Sequence, residues 1–166
     1  MLNLVHRFAG LLGLATLCLA GPISAEPAAD AAATVVAFNV AISEGDADKA
    51  KQQLAAGGVQ FTLRSMHDGV GPAELTAPLA DHWSMIIPVI FSSTQRYSRQ
   101  VEVLSSEAFG DIATVWVRTT TDSQRQGRDQ PQVSEFTEVY MLITSGDGWK
   151  IAAIADNRQA SSLSGN

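Results

Sequence analysis

The chain has 166 residues, of which 46% are hydrophobic, 17% charged and 7% aromatic, and its formal net charge is −6. That acidic balance leaves no surplus of Lys and Arg to hold a polyanion, so nucleic acid is excluded as an expected partner. The composition is that of a folded globular domain rather than a low-complexity or fibrous chain.

Residues 8–20 form an apolar block too short for a comfortable membrane span. The block follows His6 and Arg7 and runs into Gly21-Pro22-Ile23-Ser24-Ala25, the pattern of a cleavable secretory signal. Cleavage after Ala25 leaves 141 residues, enough for one domain with one core, and the loss of Arg7 takes the net charge from −6 to −7. The single cysteine, Cys18, leaves with the signal, and disulfides, a thiolate nucleophile and thiolate metal ligands leave with it. A lipoprotein signal needs Leu and two small residues before the cysteine, whereas Ala15-Thr16-Leu17 stand there, so no membrane anchor is expected. The expected location is periplasmic or secreted. The expected division is a signal peptide over 1–25, a flexible N-terminus over 26–30, one domain over 31–158 and a flexible tail over 159–166.

Over 31–43, Val35, Val36, Phe38, Val40 and Ile42 are spaced for a helix with one buried face, and Asp30 offsets its positive end. Glu44-Gly45-Asp46 breaks it; Asp46 or Asp48 caps a second, shorter helix through Leu54, and Gly57-Gly58 stops that one. Residues 59–66 alternate as a strand with one wet face. After a loop through His67-Asp68-Gly69 and Gly71-Pro72, the positions Leu75, Leu79, His82, Ile86 and Ile90 give a third helix, interrupted or ended near Pro88. The period then falls to two, predicting strands over 97–105, 111–121, 133–143 and 149–156. Ser145-Gly146-Asp147-Gly148 is the tightest turn, and 122–131 forms a long polar hairpin tip.

Helix, helix, strand, helix and four sequential strands segregate helices from sheet. The predicted class is α+β, a cone-shaped, curved antiparallel sheet with three helices packed on one face. The stretch Val36-Ala37-Phe38-Asn39-Val40-Ala41-Ile42 running into Gly45-Asp46, and the closing strand Gly148-Trp149-Lys150-Ile151 after a strand with Glu138, Tyr140 and Leu142, resemble the nuclear transport factor 2-like superfamily, in particular its secreted SnoaL-like members. The resemblance spans 31–157 and rests on structural rather than catalytic motifs. It implies a cone into which enzymes of the superfamily, among them ketosteroid isomerases, epoxide hydrolases, dehydratases and polyketide cyclases, project an acid, often with Tyr, His or Arg. None of those sets maps residue by residue onto this chain. Gly57-Gly58 stands where relatives often carry acidic residues, and Asp156-Asn157 where many carry histidine.

Hairpin pairing sorts the strand residues by face, given a two-residue turn at Gly146-Asp147 and a symmetric longer hairpin. One face then holds Thr114, Trp116, Arg118, Phe136, Glu138, Tyr140, Ile151 and Ala153. The other holds Val115, Val117, Val139, Met141, Ile143, Ala152, Ile154 and Asp156 and reads as the floor under the helices. On that reading Trp116, Phe136 and Tyr140 make an outer, dimer-forming face with Arg118 and Glu138 as a cross-strand ion pair. The opposite assignment puts Trp116, Arg118, Glu138 and Tyr140 inside the cone as a ligand-binding set: Glu138 as a base, Arg118 holding an anionic group and Tyr140 donating to an oxyanion.

His82 lies on the apolar stripe of the third helix and Asp156 on the aliphatic floor, with Arg158 as a partner of matching parity; together His82 and Asp156 are the candidate catalytic pair. His67-Asp68 reads as plain surface loop. Two histidines in the mature chain, without a His-x-x-x-His or cysteine pattern, give no expected metal site, and no Gly-rich phosphate loop follows a strand, so no cofactor is expected. Two functions stay open. One is an exported module that binds a small apolar or amphipathic molecule, or another protein, and forms a homodimer. The other is a cofactor-free lyase, isomerase or hydrolase working by general acid/base chemistry in the cone.

Overall fold

The apolar spacing over 31–43 folds as a helix that reaches further back than the pattern indicated. In the computed structural model, which describes residues 25–62 and 76–157, α1 is Ala25–Glu44. Its stripe Ala28, Ala31, Val35, Phe38 and Ile42 is buried, so 26–30, expected as a flexible arm, is helical and Ala28 packs inward. The helix ends in a Schellman motif at Gly45, whose φ of 73° suits glycine: the amide of Gly45 bonds the Ile42 carbonyl and that of Asp46 the Ala41 carbonyl. Asp46 then caps α2, Ala47–Gln52, by accepting from the Lys49 amide at 3.0 Å.

Strand β1, Leu54–Thr62, starts earlier than predicted and runs through Gly57-Gly58. A Cβ on Gly58 would meet the Ala152 carbonyl oxygen at 2.9 Å, so this glycine permits close approach of the neighbouring strand. A short strand β2, Thr76–Pro78, leads into α3, Leu79–Ser93. Pro88 is exposed and α3 continues through it to Ser93. The buried stripe of α3 is Leu79, Trp83 and Ile87. It is turned by one residue from the predicted one, so Trp83 occupies the inward position and His82 is half-buried beside it.

Four long strands complete the sheet: β3 Thr94–Phe109, β4 Ile112–Arg125, β5 Gln132–Ser145 and β6 Gly148–Asp156. The sheet order is β2-β1-β6-β5-β4-β3. It is mixed rather than wholly antiparallel, because β1 runs parallel to β6. The helices lie over one face. Edge strand β3 is tied to α1 by side chains: Ser43 Oγ accepts from the Arg99 amide and donates to the Arg99 carbonyl, and Ser106 Oγ donates to the Ala28 carbonyl. His67, Asp68, Arg158, the signal region up to residue 24 and the expected tail lie outside the described residues.

Candidate functional site

The register of the long hairpin decides which side chains enter the cone. Trp116 pairs with Val139 and Val117 with Glu138, one residue away from the symmetric pairing expected, and a one-residue difference exchanges the two faces of β5. The inner face therefore carries Ala113, Val115, Val117 and Thr119 from β4 together with Phe136, Glu138, Tyr140 and Leu142 from β5, all buried. The proposed set of Trp116, Arg118, Glu138 and Tyr140 is split. Glu138 and Tyr140 point inward; Trp116 and Arg118 point out. Arg118 does not pair with Glu138 but with Glu102, its opposite residue on β3, at 2.7 Å, and with Glu135 at 3.8 Å. Phe136 and Tyr140 likewise leave the outer aromatic face, and Val139, Met141 and Ile143 leave the inner floor. A bulge between Met141 and Leu142 opposite β6 lets Ile151, Ile154 and Asp156 all face inward with Tyr140, so the inward placement of Ile154 and Asp156 agrees with the sequence reading.

The partner of Glu138 is Arg99. Both side chains are wholly buried, and the Arg99 Nη2 group donates to Glu138 Oε2. Two further donors converge on the same oxygen, Thr119 Oγ1 at 2.6 Å and the Tyr140 hydroxyl at 3.0 Å. Asn39, one turn below Val35 on α1, completes the cluster. Its Oδ1 accepts from Arg99 Nε, and its Nδ2 donates to the Val35 carbonyl at 2.8 Å and to the Tyr140 oxygen at 3.2 Å. The guanidinium carbon lies over two rings, with the centroids of Trp83 and Phe136 each 5.5 Å away. Phe38 packs edge-on against both Trp83 and Tyr140.

Two polar atoms in this cluster have no hydrogen-bond partner among the described residues: Arg99 Nη1 and Glu138 Oε1. All the donors have gathered on one carboxylate oxygen, so the ion pair is single-pronged, and each partner keeps an unused edge. Burial acts to lower the Arg99 pKa, but the Glu138 charge, together with the Tyr140 and Tyr97 phenols, outweighs this and holds the guanidinium protonated. Burial, reinforced by the Glu138 carboxylate, pushes the Tyr140 phenol well above its ordinary value, so it remains a hydrogen-bond donor.

A second polar chain lines the same wall. Asp156 is directly opposite Glu138 across β5 and β6, and both are buried. Gln60 of β1 donates to Asp156 Oδ2 at 3.0 Å and accepts from the Trp83 indole nitrogen at 3.3 Å. Trp83 thus touches both clusters. The ring of His82 packs edge-on against Trp83, with centroids 5.4 Å apart. Among the described residues, no three His, Cys, Asp or Glu side chains are grouped to hold a metal ion.

Arg99 and Asn39 were not among the residues singled out from sequence, although each had a signal. Arg99 shares strand parity with Tyr97 and Val101, which are partly buried, and Asn39 stands four residues after Val35 and three before Ile42, on the apolar stripe of α1.

No protein-family model matches the sequence, and no curated protein matches it. Solved structures do. A ketosteroid isomerase-like protein from Erwinia carotovora atroseptica superposes with a TM-score of 0.64 at 17% identity, over 81% of this chain and 98% of that one. An NTF2-like protein with a cystatin-like fold from Novosphingobium aromaticivorans gives 0.64 at 12% identity, over 84% and 86% of the two chains. The fold is nuclear transport factor 2-like. A candidate scytalone dehydratase from Novosphingobium aromaticivorans shares this nuclear transport factor 2-like architecture, with a TM-score of 0.63 at 8% identity over 81% and 91% of the chains. At such identities the likeness carries the fold alone, and the polar groups inside this cone have to be read on their own chemistry.

Proposed function

We propose that the protein is an exported small-molecule-binding module whose cone takes an amphipathic ligand, with the Arg99–Glu138 pair as the polar end of the site. The observation that carries this reading is the pair of unpartnered atoms, Arg99 Nη1 and Glu138 Oε1, on side chains with no exposure to solvent. A buried polar atom left unsatisfied costs free energy, and packed interiors give the large majority of such atoms a partner. Around the pair, Phe38, Trp83 and Phe136 supply apolar surface for the body of a ligand. The neighbours named for ketosteroid isomerase and scytalone dehydratase support small-molecule recognition as a use of this fold. Export rests on the signal pattern over 1–25, which makes the periplasm or the medium the place where the ligand is met.

A second reading, general acid/base catalysis, has one observation in its favour: Glu138 and Asp156 are opposed on one buried wall beside the protonated Tyr140 phenol. The candidate pair of His82 and Asp156 belongs to this reading, with His82 against the Trp83 ring and Asp156 on the Gln60 amide that Trp83 also holds.

The partner we propose is a second copy of the chain, docked on the outer sheet face. Phe109, Ile112, Trp116, Met141 and Ile143 form an exposed apolar band across β3, β4 and β5.

Native mass spectrometry of the mature protein purified from the periplasm tests the ligand reading. A small-molecule adduct is expected on the native protein and is expected to be absent after replacement of Arg99 by Met. A bare mass, together with no binding of any amphipathic probe, would overturn it.

A further inference from the structure

The unused edges of the ion pair define what head group the cone accepts, an inference that rests on the ligand-binding reading above. The guanidinium carbon of Arg99 lies 5.5 Å from the ring centroids of both Trp83 and Phe136. Its Nε edge is taken by Asn39 and its Nη2 edge by Glu138 and the Tyr140 oxygen. Nη1 is left without a partner among the described residues, and its hydrogens require an acceptor. Glu138 Oε2 is saturated by three donors, and Oε1 requires a donor. The two groups are joined through the Nη2 to Oε2 hydrogen bond, so the free ends Nη1 and Oε1 belong to adjoining groups of one cluster.

Charge narrows the choice. Arg99 and Glu138 neutralise one another where neither is exposed, so a unit charge brought to their free ends meets no net charge on the pair to balance it. An anion would satisfy Nη1 but meet Glu138 Oε1 with a lone pair; a cation would satisfy Oε1 but meet Nη1 with a proton. We propose that the cone recognises an uncharged head group carrying a hydrogen-bond acceptor and a donor on neighbouring atoms, a carboxamide or lactam, attached to an apolar body that lies among the aromatic rings.

Three probes of one shape separate the possibilities: 4-butylbenzamide, 4-butylbenzoate and 4-butylbenzylammonium, each titrated calorimetrically into the mature protein freed of any retained molecule. The benzamide is expected to bind about tenfold or more tightly than either charged isostere. Glu138→Gln removes the negative partner and leaves the guanidinium charge uncompensated, so in that variant the preference is expected to turn towards the benzoate by about tenfold or more. The comparison among the three probes on the native protein stands without the variant, should Glu138→Gln not fold. Tighter binding of the benzoate or the ammonium to the native protein would overturn the head-group assignment while leaving the cone as a binding site. Binding of none of the three, when native mass spectrometry still shows a retained molecule, would also overturn the assignment alone. Binding of none, with no retained molecule and ordered water on Nη1 and Oε1, would overturn both the assignment and the binding reading.

Discussion

Arg99 and Glu138 stand where a packed interior ordinarily holds carbon, and removing one of them does not simply delete a contact. A buried ion pair contributes little over an apolar pair of the same shape, but a lone charge left behind in the same place is severely destabilising. Arg99→Met is therefore expected to cost about 3–5 kcal/mol, and the double variant Arg99→Met, Glu138→Leu much less than twice that, as measured by denaturant unfolding. Equal and additive losses would show that the two side chains do not act as a pair. The Tyr140 phenol offers a test from the other direction. Because burial and the Glu138 charge raise its pKa in the folded state, the native protein keeps this proton after an unfolded chain has begun to lose it. The stability it contributes is full below about pH 10 and declines as pH rises beyond that. Unfolding free energy is expected to fall more steeply above about pH 10 in the native protein than in Tyr140→Phe. Parallel curves would contradict the placement.

At the scale of elements, the sequence carries the order of helices and strands and the segregated α+β class, because those follow from periods of 3.6 and 2 that survive without tertiary information. Faces are less legible. The hairpin tip between β4 and β5 is long and polar, and nothing in it fixes which residue of one strand meets which of the other; a symmetric pairing differs from the true register by one residue and so puts Glu138 and Tyr140 on the same face as Trp116 and Arg118. The short turn at Gly146-Asp147 is legible, since Ser145 pairs with Gly148 as two-residue geometry requires. The bulge further along β6 restores Ile154 and Asp156 to the inner face, but no local pattern announces it. Arg99 is hidden for a different reason: an arginine at a core parity reads as a wet residue until Glu138, two strands away, is seen to reach it. The parallel pairing of β1 with β6 is also invisible locally, because it joins segments from the two ends of the domain. Trp149, which follows that short turn, is buried against the core. Trp149→Ala is expected to lower stability by about 3–5 kcal/mol, and an unchanged melting temperature would contradict its structural role.

For the whole molecule, the two faces of the sheet have separate tasks: the inner one encloses the polar clusters under the helices, and the outer one presents apolar surface around Trp116. If the outer band is the contact between copies, Trp116→Glu places a charge in its centre and is expected to convert the dimer to a monomer in light scattering without changing the circular dichroism of the fold. A native protein that is monomeric at all concentrations would contradict the dimer. The claim on which the functional account depends is nevertheless inside the cone. A high-resolution crystal structure of the protein, purified from its native source without added ligand, tests it most directly. The account predicts density for an uncharged organic head group within hydrogen-bond distance of both Arg99 Nη1 and Glu138 Oε1, with its body against Trp83 and Phe136. Ordered water alone on those two atoms, or a side chain of the protein itself filling the space, would contradict it.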